Sequence, residues 1–423
     1  PVLTDTDMTN HTFQQIIVKV HSRCNIACDY CYVYESPDQG WRRQPLAIAA
    51  TTVRVIGERI AEHAAVHGLD RVWVTLHGGE PLLVGLDGLR DIVAQLRRAV
   101  GERCDLAIGV QTNGVLLDEP LADWMVSEGI RVGISLDGGR DANDRHRRFR
   151  NGASSYAQVT RAVALMVDPG RLGSFAGLLA TVDPANDAPT LYHDLAGTGA
   201  GRIDLLLPHA TWEDPPPAGL PSRTVYGDWL VSFFDTWYDA RPVLSVRLFE
   251  EIMHALLGGA SLSEAVGLSA PQSIVIETNG DIERTDALKI AYDGAAATGY
   301  NVFEHSLDEV LHHPAVAANL LGGSGLSAQC RECSIVSACG GGLLPHRYRA
   351  ANGFDNPSVY CNDLGRLINH IAQRLEVDLS RHHSKMVRLP VPIPRVSVER
   401  PRDAIELATA GTPHPGQETE RSG

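Results

Sequence analysis

Six short apolar runs, separated by helical patterns, constrain the fold of this chain more than any other feature. The runs are rich in β-branched residues and span 14–20, 71–77, 106–112, 130–136, 174–182 and 202–208. Amphipathic segments lie between them, near 48–66, 86–100, 119–128, 155–167 and 189–197. Short apolar strands that alternate with helices are typical of parallel βαβ units. Six such units in a row favour a barrel or partial barrel over a β-sandwich.

The segments that follow the first four runs are polar or rich in glycine. In chain order they read HSRCNIACDYC, HGGEP, QTNG and SLDGG. The carboxyl ends of parallel strands meet at one edge of a sheet, and ligands bind there in α/β folds. We therefore expect these four segments to face one cavity.

Size and charge limit the classes of partner. The 423 residues exceed one small core, so we expect a large domain and at least one smaller one. A net charge of −14 argues against nucleic acid, and the one dense basic run, at 144–150, is equally explained as a solvated loop. No apolar run approaches the roughly 20 residues that span a bilayer, and no secretory signal is visible. These features predict a cytoplasmic protein with no membrane partner.

Seven of the eight cysteines fall into two groups. The first group is Cys24, Cys28 and Cys31, and the second is Cys330, Cys333, Cys339 and Cys361. Cys104 stands apart and is interpreted as a buried structural thiol. Cysteines grouped in this way indicate metal binding rather than disulfides.

The first group supplies three protein ligands where a closed metal site needs four. Three thiolates can hold three irons of a [4Fe–4S] cluster and leave the fourth iron open for a substrate or cofactor. The alternative is a zinc site that takes a remote fourth ligand such as His21.

The spacing Cys24-x3-Cys28-x2-Cys31, with Tyr30 before the last cysteine, resembles the signature of the radical S-adenosylmethionine (SAM) superfamily. The resemblance implies that the amino and carboxylate groups of SAM complete the open iron site. It also implies reductive cleavage of SAM to a 5′-deoxyadenosyl radical, which abstracts a hydrogen atom from the substrate.

The same resemblance extends to the later strand ends and implies a set of SAM contacts. Glu80 and its neighbours are similar to the segment that holds the SAM amino group, Ser135 is implied as a ribose contact, and Arg147 as the partner of the SAM carboxylate. The full set of implied cofactor-binding residues is Tyr30, Gly78, Gly79, Glu80, Gln111, Asn113, Ser135, Asp137 and Arg147.

The four-cysteine group resembles one of the two auxiliary cluster sites of the SPASM domain, found in peptide-modifying radical SAM enzymes. Four cysteines close the shell, so we expect one auxiliary [4Fe–4S] cluster there, with structural zinc as the alternative. The other site of that domain is incomplete, because Thr285 and Leu343 stand where the resemblance implies cysteines. Asp286 matches a position where related enzymes carry an acidic residue, so it is a candidate base. A surface turn is the alternative explanation for Asp286.

Several longer stretches, which run from about residue 13 to 375, resemble the FxsB-type family. The resemblance implies a three-residue cyclophane, in which an aromatic ring carbon of a ribosomally made precursor peptide is joined to a β-carbon. A leader-bearing precursor and an electron donor such as flavodoxin or ferredoxin are the implied partners. The alternatives are sulfatase formylglycine formation, thioether crosslinking, epimerisation or, more distantly, a non-catalytic zinc-binding protein.

The predicted fold class is α/β, a partial (β/α)6 TIM-like barrel of the radical SAM type followed by a SPASM-like Fe–S domain. We expect an N-terminal extension at 1–12, the barrel at 13–210 and a linker with bridging helices at 211–270. The auxiliary cluster domain is expected at 271–375 and an extended or disordered tail at 376–423. No separate domain that would bind a leader peptide is visible. Residues 222–257 are predicted helical, with an aromatic stripe of Trp229, Phe233 and Trp237 in the core.

Overall fold

The computed structural model describes residues 11–217, 223–240, 244–320 and 322–386. Most of the predicted N-terminal extension and tail, and the end of the proline-rich segment at 208–221, lie outside the described residues. Leu375 ends the larger of two compact units. Of the second unit, which begins at Glu376, the structure describes only a helical segment.

Twelve strands are assigned in the described residues. They are β1 (Gln15–His21), β2 (Ala27–Cys28), β3 (Arg71–Gly78), β4 (Asp105–Thr112), β5 (Arg131–Ser135), β6 (Arg147–Arg148), β7 (Phe175–Thr181), β8 (Arg202–Leu206), β9 (Ser245–Val246), β10 (Ser273–Ile276), β11 (Asp281–Glu283) and β12 (Ala297–Asn301).

Thirteen α-helices are assigned in the same residues. They are α1 (Ala50–His67), α2 (Gly85–Val100), α3 (Glu119–Ser127), α4 (Arg140–His146), α5 (Tyr156–Met166), α6 (Ala188–Ala196), α7 (Val225–Asp239), α8 (Arg247–Leu256), α9 (Leu307–Leu311), α10 (Pro314–Leu320), α11 (Ala328–Arg331), α12 (Val336–Cys339) and α13 (Cys361–Met386). None of the helices described is long and apolar enough to cross a membrane.

Ten of the strands form one sheet in the order β12-β11-β10-β1-β3-β4-β5-β7-β8-β9. The strands from β10 to β9 are parallel to their neighbours, and β11 and β12 are antiparallel additions at one edge. All six predicted runs are strands of this sheet, and a helix follows each along the chain. The predicted α/β class is confirmed. The strand β10 falls in the predicted auxiliary domain but pairs with β1, so the division at residue 271 remains a proposal.

Alternation along the strands separates a core face from a cavity face. On β1, Ile16, Val18 and Val20 are fully buried in the apolar core that also contains residues of α1 and α2. Successive side chains of a strand point to opposite sides, so Lys19 faces away from this core. Lys19 lies beside His77 of β3 in the parallel register. Polar side chains therefore line the inside of this sheet.

Two expectations about the local structure need correction. Residues 222–257 are not one helix, because β9 separates α7 from α8 and pairs with β8. The basic run at 144–150 is not a solvated loop, since it ends α4 and forms β6, and Arg147 is buried. The buried aromatic stripe on α7 and the buried thiol of Cys104 are confirmed.

Candidate active site

The three-cysteine group lies in the segment that follows β1, at the carboxyl edge of the sheet. Cys28 is in β2, which pairs with β6 and places Cys28 opposite Arg147. The amide of Cys31 donates to the Cys28 carbonyl at 3.2 Å, which closes a tight turn. Burial raises the pKa of Cys24 to about 11 and that of Cys28 to about 12. These thiols keep their protons at neutral pH until a metal displaces them.

The spacing of the sulfurs bears on the identity of the metal. Among the described residues, neither cysteine group has three sulfur atoms that all lie within 4.8 Å of one another. A tetrahedral zinc ion with Zn–S bonds of about 2.3 Å would bring its sulfurs to within about 3.8 Å. His21, the suggested fourth zinc ligand, is instead close to the Arg23 carbonyl, at 3.0 Å from Nδ1. Both groups therefore fit a larger iron–sulfur cluster better than a single zinc ion.

Gly78 and Gly79 pack directly against the segment that carries the cysteines. The amide of Gly79 donates to the His21 carbonyl at 2.9 Å. A Cβ at Gly79 would overlap the Tyr34 hydroxyl and lie 2.5 Å from the Arg23 carbonyl oxygen. Gly78 has φ +144°, in the region that favours glycine. Only residues without a side chain allow the two strand ends to approach this closely.

Glu80 is fully buried and organises the end of the next strand. Its carboxylate accepts hydrogen bonds from the Thr112 hydroxyl at 2.6 Å, the Asn113 amide at 2.8 Å and the Leu82 amide at 3.0 Å. Burial raises the pKa of Glu80, and these donors oppose the shift. The geometry assigns Glu80 a structural task in joining β3 to β4, and its role toward the SAM amino group stays a prediction.

Three further implied SAM contacts converge on the same edge. Gln111 Nε2 donates to Ser135 Oγ at 3.0 Å across β4 and β5. Asn113 Nδ2 donates to Asn25 Oδ1 at 2.7 Å and lies 3.6 Å from Cys24 Sγ. The QTNG and SLDG segments are thus brought to the cysteine loop, as the strand order predicts. Their contacts with SAM stay a prediction.

Tyr30, Asp137 and Arg147 form a buried hydrogen-bonded triad beside Cys28. The Tyr30 hydroxyl donates to Asp137 Oδ2 at 2.6 Å and accepts from Arg147 Nη1 at 3.0 Å. Burial lowers the pKa of Arg147, but the nearby Tyr30, Cys28 and Asp137 outweigh it and raise the pKa well above its usual range. Arg147 Nε is buried with no hydrogen-bond partner among the described residues. A permanent cation with a free donor suits an anionic group such as the SAM carboxylate.

The four-cysteine group is assembled from two short helices and the start of a long one. Cys330 lies in α11, Cys339 ends α12 and Cys361 begins α13, while Cys333 is the second residue after α11. Burial raises the pKa of Cys339 to about 11, and the other three thiols add to the shift. Arg347 donates to the carbonyls of Gly340, Gly341 and Gly342 and so fixes the loop after Cys339. Four thiols are enough to close a coordination shell without an outside ligand, and this ligand set stays a prediction.

Asp286 is buried, so the surface-turn explanation is wrong. Its Oδ1 lies 2.8 Å from the ammonium nitrogen of Lys19, which is itself 2% exposed. Burial raises the pKa of Asp286, but Lys19 and Lys289 outweigh this and lower it. Asp286 is therefore ionised at neutral pH, as a base must be. Its role as a base remains a prediction.

Asp286 belongs to a buried group of five charged residues, which we call the charge network. Its members are Lys19, Glu277, Glu283, Asp286 and Lys289. Lys289 Nζ lies 2.7 Å from Glu277 Oε1 and 2.7 Å from Glu283 Oε2. Sequence reasoning missed this network and the adjacent His77, His209 and Tyr32. A detectable signal was present, because Lys19 is a charge inside an otherwise apolar run and His77 ends another.

Comparisons with known proteins identify similar sequences and similar folds. Residues 18–178 match the family model described as the radical SAM superfamily. The chain is 22% identical over 368 residues to a cysteine-type anaerobic sulfatase-maturating enzyme of Clostridium novyi (strain NT), covering 83% of this chain and 92% of that enzyme.

Two solved structures share the fold. Native anSMEcpe with bound AdoMet and the Kp18Cys peptide superposes with a TM-score of 0.75 at 19% identity, over 87% of this chain and 99% of that one. Streptococcus suis SuiB bound to the precursor peptide SuiA gives 0.57 at 14% identity, over 84% and 77%. The superfamily match, the ordered strand-end motifs and the shared fold together imply SAM and a [4Fe–4S] cluster as cofactors. The match to the radical SAM superfamily thus covers residues 18–178, the part of the chain that carries the three-cysteine group and the strand-end motifs.

Proposed function

We propose that this chain modifies a ribosomally made precursor peptide and forms a C–C crosslink between an aromatic ring and the β-carbon of a nearby residue. The observation that carries the proposal is the combination of an open three-cysteine site and a closed four-cysteine site in one chain. Peptides are bound in both solved structures of similar fold, which supports a peptide substrate. The three-residue cyclophane is the specific product we propose.

When bound, SAM and the open cluster supply a 5′-deoxyadenosyl radical that removes a hydrogen atom from the substrate. The chain's own residues orient the cofactor and manage protons. Arg147 offers its free Nε–H to the SAM carboxylate. Asp286, held ionised by Lys19, accepts the proton that the aromatic ring loses when the new bond is complete. An auxiliary cluster held by Cys330, Cys333, Cys339 and Cys361 would be the acceptor for the electron lost with that proton, and a flavodoxin or ferredoxin would supply the reducing electron for SAM.

Oxidation of a serine or cysteine is the second candidate. It is favoured by the similarity to the cysteine-type sulfatase-maturating enzyme, which this chain covers almost completely. Asp286 would serve that reaction equally well, because it also requires a base. The absence of cysteine at Thr285 and Leu343 supports the crosslink, since the second SPASM cluster site is incomplete here.

Anaerobic co-expression with a short peptide encoded beside the gene, followed by mass spectrometry, separates these products. A crosslink removes two hydrogen atoms, suppresses fragmentation between the joined residues and leaves nothing that reacts with hydroxylamine. Oxidation of serine also removes two hydrogen atoms, but the aldehyde reacts with hydroxylamine. A thioether consumes a free thiol, and epimerisation leaves the mass unchanged. Cys28→Ala, which removes a ligand of the open cluster, is the control that should give unmodified peptide.

Iron analysis tests the cofactor assignment independently of the substrate. We expect about eight irons per chain in the wild type and about four in Cys361→Ala or Cys28→Ala. Zinc in place of iron in the anaerobically purified protein would rule out the enzyme proposal.

A further inference from the structure

We propose that four aromatic side chains, Tyr32, His209, His346 and Tyr360, form the path by which an electron passes between the open cluster and the auxiliary cluster. We call these residues the four-ring chain. The inference rests on the proposed function, because it requires an iron–sulfur cluster at both cysteine groups.

The rings are in sequential contact. The ring centroids of Tyr32 and His209 are 4.8 Å apart, with an edge-to-face arrangement. His209 and His346 follow at 6.1 Å, and His346 and Tyr360 at 5.0 Å. Tyr32 is the residue after Cys31, and Tyr360 is the residue before Cys361. The four-ring chain therefore begins and ends one peptide bond from a ligand of each cluster.

The rings come from distant parts of the chain, and hydrogen bonds join the segments that carry three of them. The Tyr360 hydroxyl donates to the carbonyl of Pro208, the residue before His209, at 2.8 Å. The amide of Val359 donates to the His346 carbonyl at 2.8 Å. These two bonds join the segments that carry His209, His346 and Tyr360.

Packing alone does not explain two histidines at these positions. His346 is 3% exposed, and its Nε2 and the Nδ1 of His209 are buried without a hydrogen-bond partner among the described residues. A buried polar atom that lacks a partner destabilises the folded state. A leucine or phenylalanine would fill the space without that cost. Burial also lowers the pKa of His209 to about 4, so this ring is neutral at physiological pH.

The transfer that we assign to this path moves one electron and no proton. One cluster is oxidised from [4Fe–4S]+ to [4Fe–4S]2+, and the other is reduced from [4Fe–4S]2+ to [4Fe–4S]+. The first electron comes from an external one-electron reductant of the flavodoxin or ferredoxin class. The rings keep their own oxidation state and serve as the medium. Tunnelling through protein falls exponentially with the gaps to be crossed, and contacting π-systems shorten those gaps.

The test follows the electron in reconstituted holoprotein, without peptide. Protein is mixed with a substoichiometric amount of reduced flavodoxin, frozen at successive times and examined by electron paramagnetic resonance. Cys361→Ala and Cys28→Ala supply the reference spectra of the single clusters. We expect the wild type to show the two reduced clusters in their equilibrium ratio from the first time point. In His346→Leu the ratio should start away from equilibrium and relax an order of magnitude more slowly.

Matched variants separate the path from the fold. His346→Phe keeps a ring and should behave like the wild type, and His209→Leu interrupts the path at a second point if His346→Leu does not fold. If the ratio of the reduced clusters follows the same time course in the wild type and in a folded leucine variant with full iron content, the inference is wrong. It is also wrong if the wild type holds only one cluster. Neither result depends on the peptide product, so the proposed chemistry stands or fails separately.

Discussion

Replacing Lys19 by methionine should destabilise the protein strongly, because the lysine is the main partner of a buried carboxylate. Methionine has a similar length and no charge. The charge network holds two ammonium groups and three carboxyl groups, of which Glu283 is only partly ionised at neutral pH because burial raises its pKa to about 7. Without Lys19 a single ammonium group faces these carboxyl groups, in a region closed to solvent. Of the ion pairs found in the described residues, Asp286 then keeps the one with Lys289, at 3.7 Å.

The size of the effect follows from the distances. With an effective dielectric constant of about 20, the attraction between charges 2.8 Å apart, as in Lys19 and Asp286, is about 6 kcal/mol. Glu277, at 3.3 Å from Lys19, adds about 5 kcal/mol on the same basis. Desolvation of the lysine offsets much of this attraction. Removal of one partner from a buried ion pair typically costs about 3–5 kcal/mol, and we expect a loss in that range.

Urea unfolding of the anaerobic holoprotein, followed by circular dichroism, measures the loss. The double variant Lys19→Met/Asp286→Asn removes both charges, so it should be less destabilised than the sum of the two single variants. Arg54→Met is the control, because Arg54 forms an exposed ion pair with Glu58 that contributes little. If the losses of the single variants simply add in the double variant, Lys19 and Asp286 are not energetically coupled and the reasoning is wrong.

Three further predictions concern the strand ends. Glu80→Gln should cost about 1–3 kcal/mol, because an amide nitrogen cannot accept the hydrogen bonds that the carboxylate accepts, and anaerobic titration should also show weaker SAM binding. Gly79→Ala should lower iron content through its clash with Tyr34, whereas Gly173→Ala, where nothing lies within 4 Å of the new methyl, should not; equal iron in both would contradict the packing argument. The pKa of His209, lowered to about 4, means that the unfolded chain takes up a proton between about pH 6.5 and 4 while the folded chain does not. The free energy of unfolding should therefore fall as the pH is lowered through that window, by up to about 1.4 kcal/mol per pH unit. The urea midpoint of His209→Phe should depend less on pH than that of the wild type.

The order of the motifs along the chain predicted the site better than the amino-acid composition did. Strand alternation and polar strand ends are local patterns, and the parallel sheet brings such ends together, so the approach of Asn113 to Cys24 and of Gln111 to Ser135 was predictable. The environment of Asp286 was not. Its burial depends on Lys19, which is more than 250 residues earlier in the chain, and no local pattern encodes that pairing.

The four-ring chain was invisible to pattern reading for the same reason. Its members are isolated histidines and tyrosines from four segments, and a lone histidine carries no signal without its neighbours. The interpretation of 222–257 as one helix failed because a two-residue strand such as β9 is too short to show a period of two.

The pairing of β10 with β1 has a consequence for how this protein can be divided. The strand that leads to the open cluster is an interior strand, with β10 on one side and β3 on the other. A fragment that ended near residue 210 would lose β10 and expose one edge of β1, including Ile16 and Val18. Unpaired apolar edges associate with other chains. The part of the chain before residue 210 is therefore not expected to fold correctly without β10. Chimeras that exchange other regions of this protein should keep β10 together with β1.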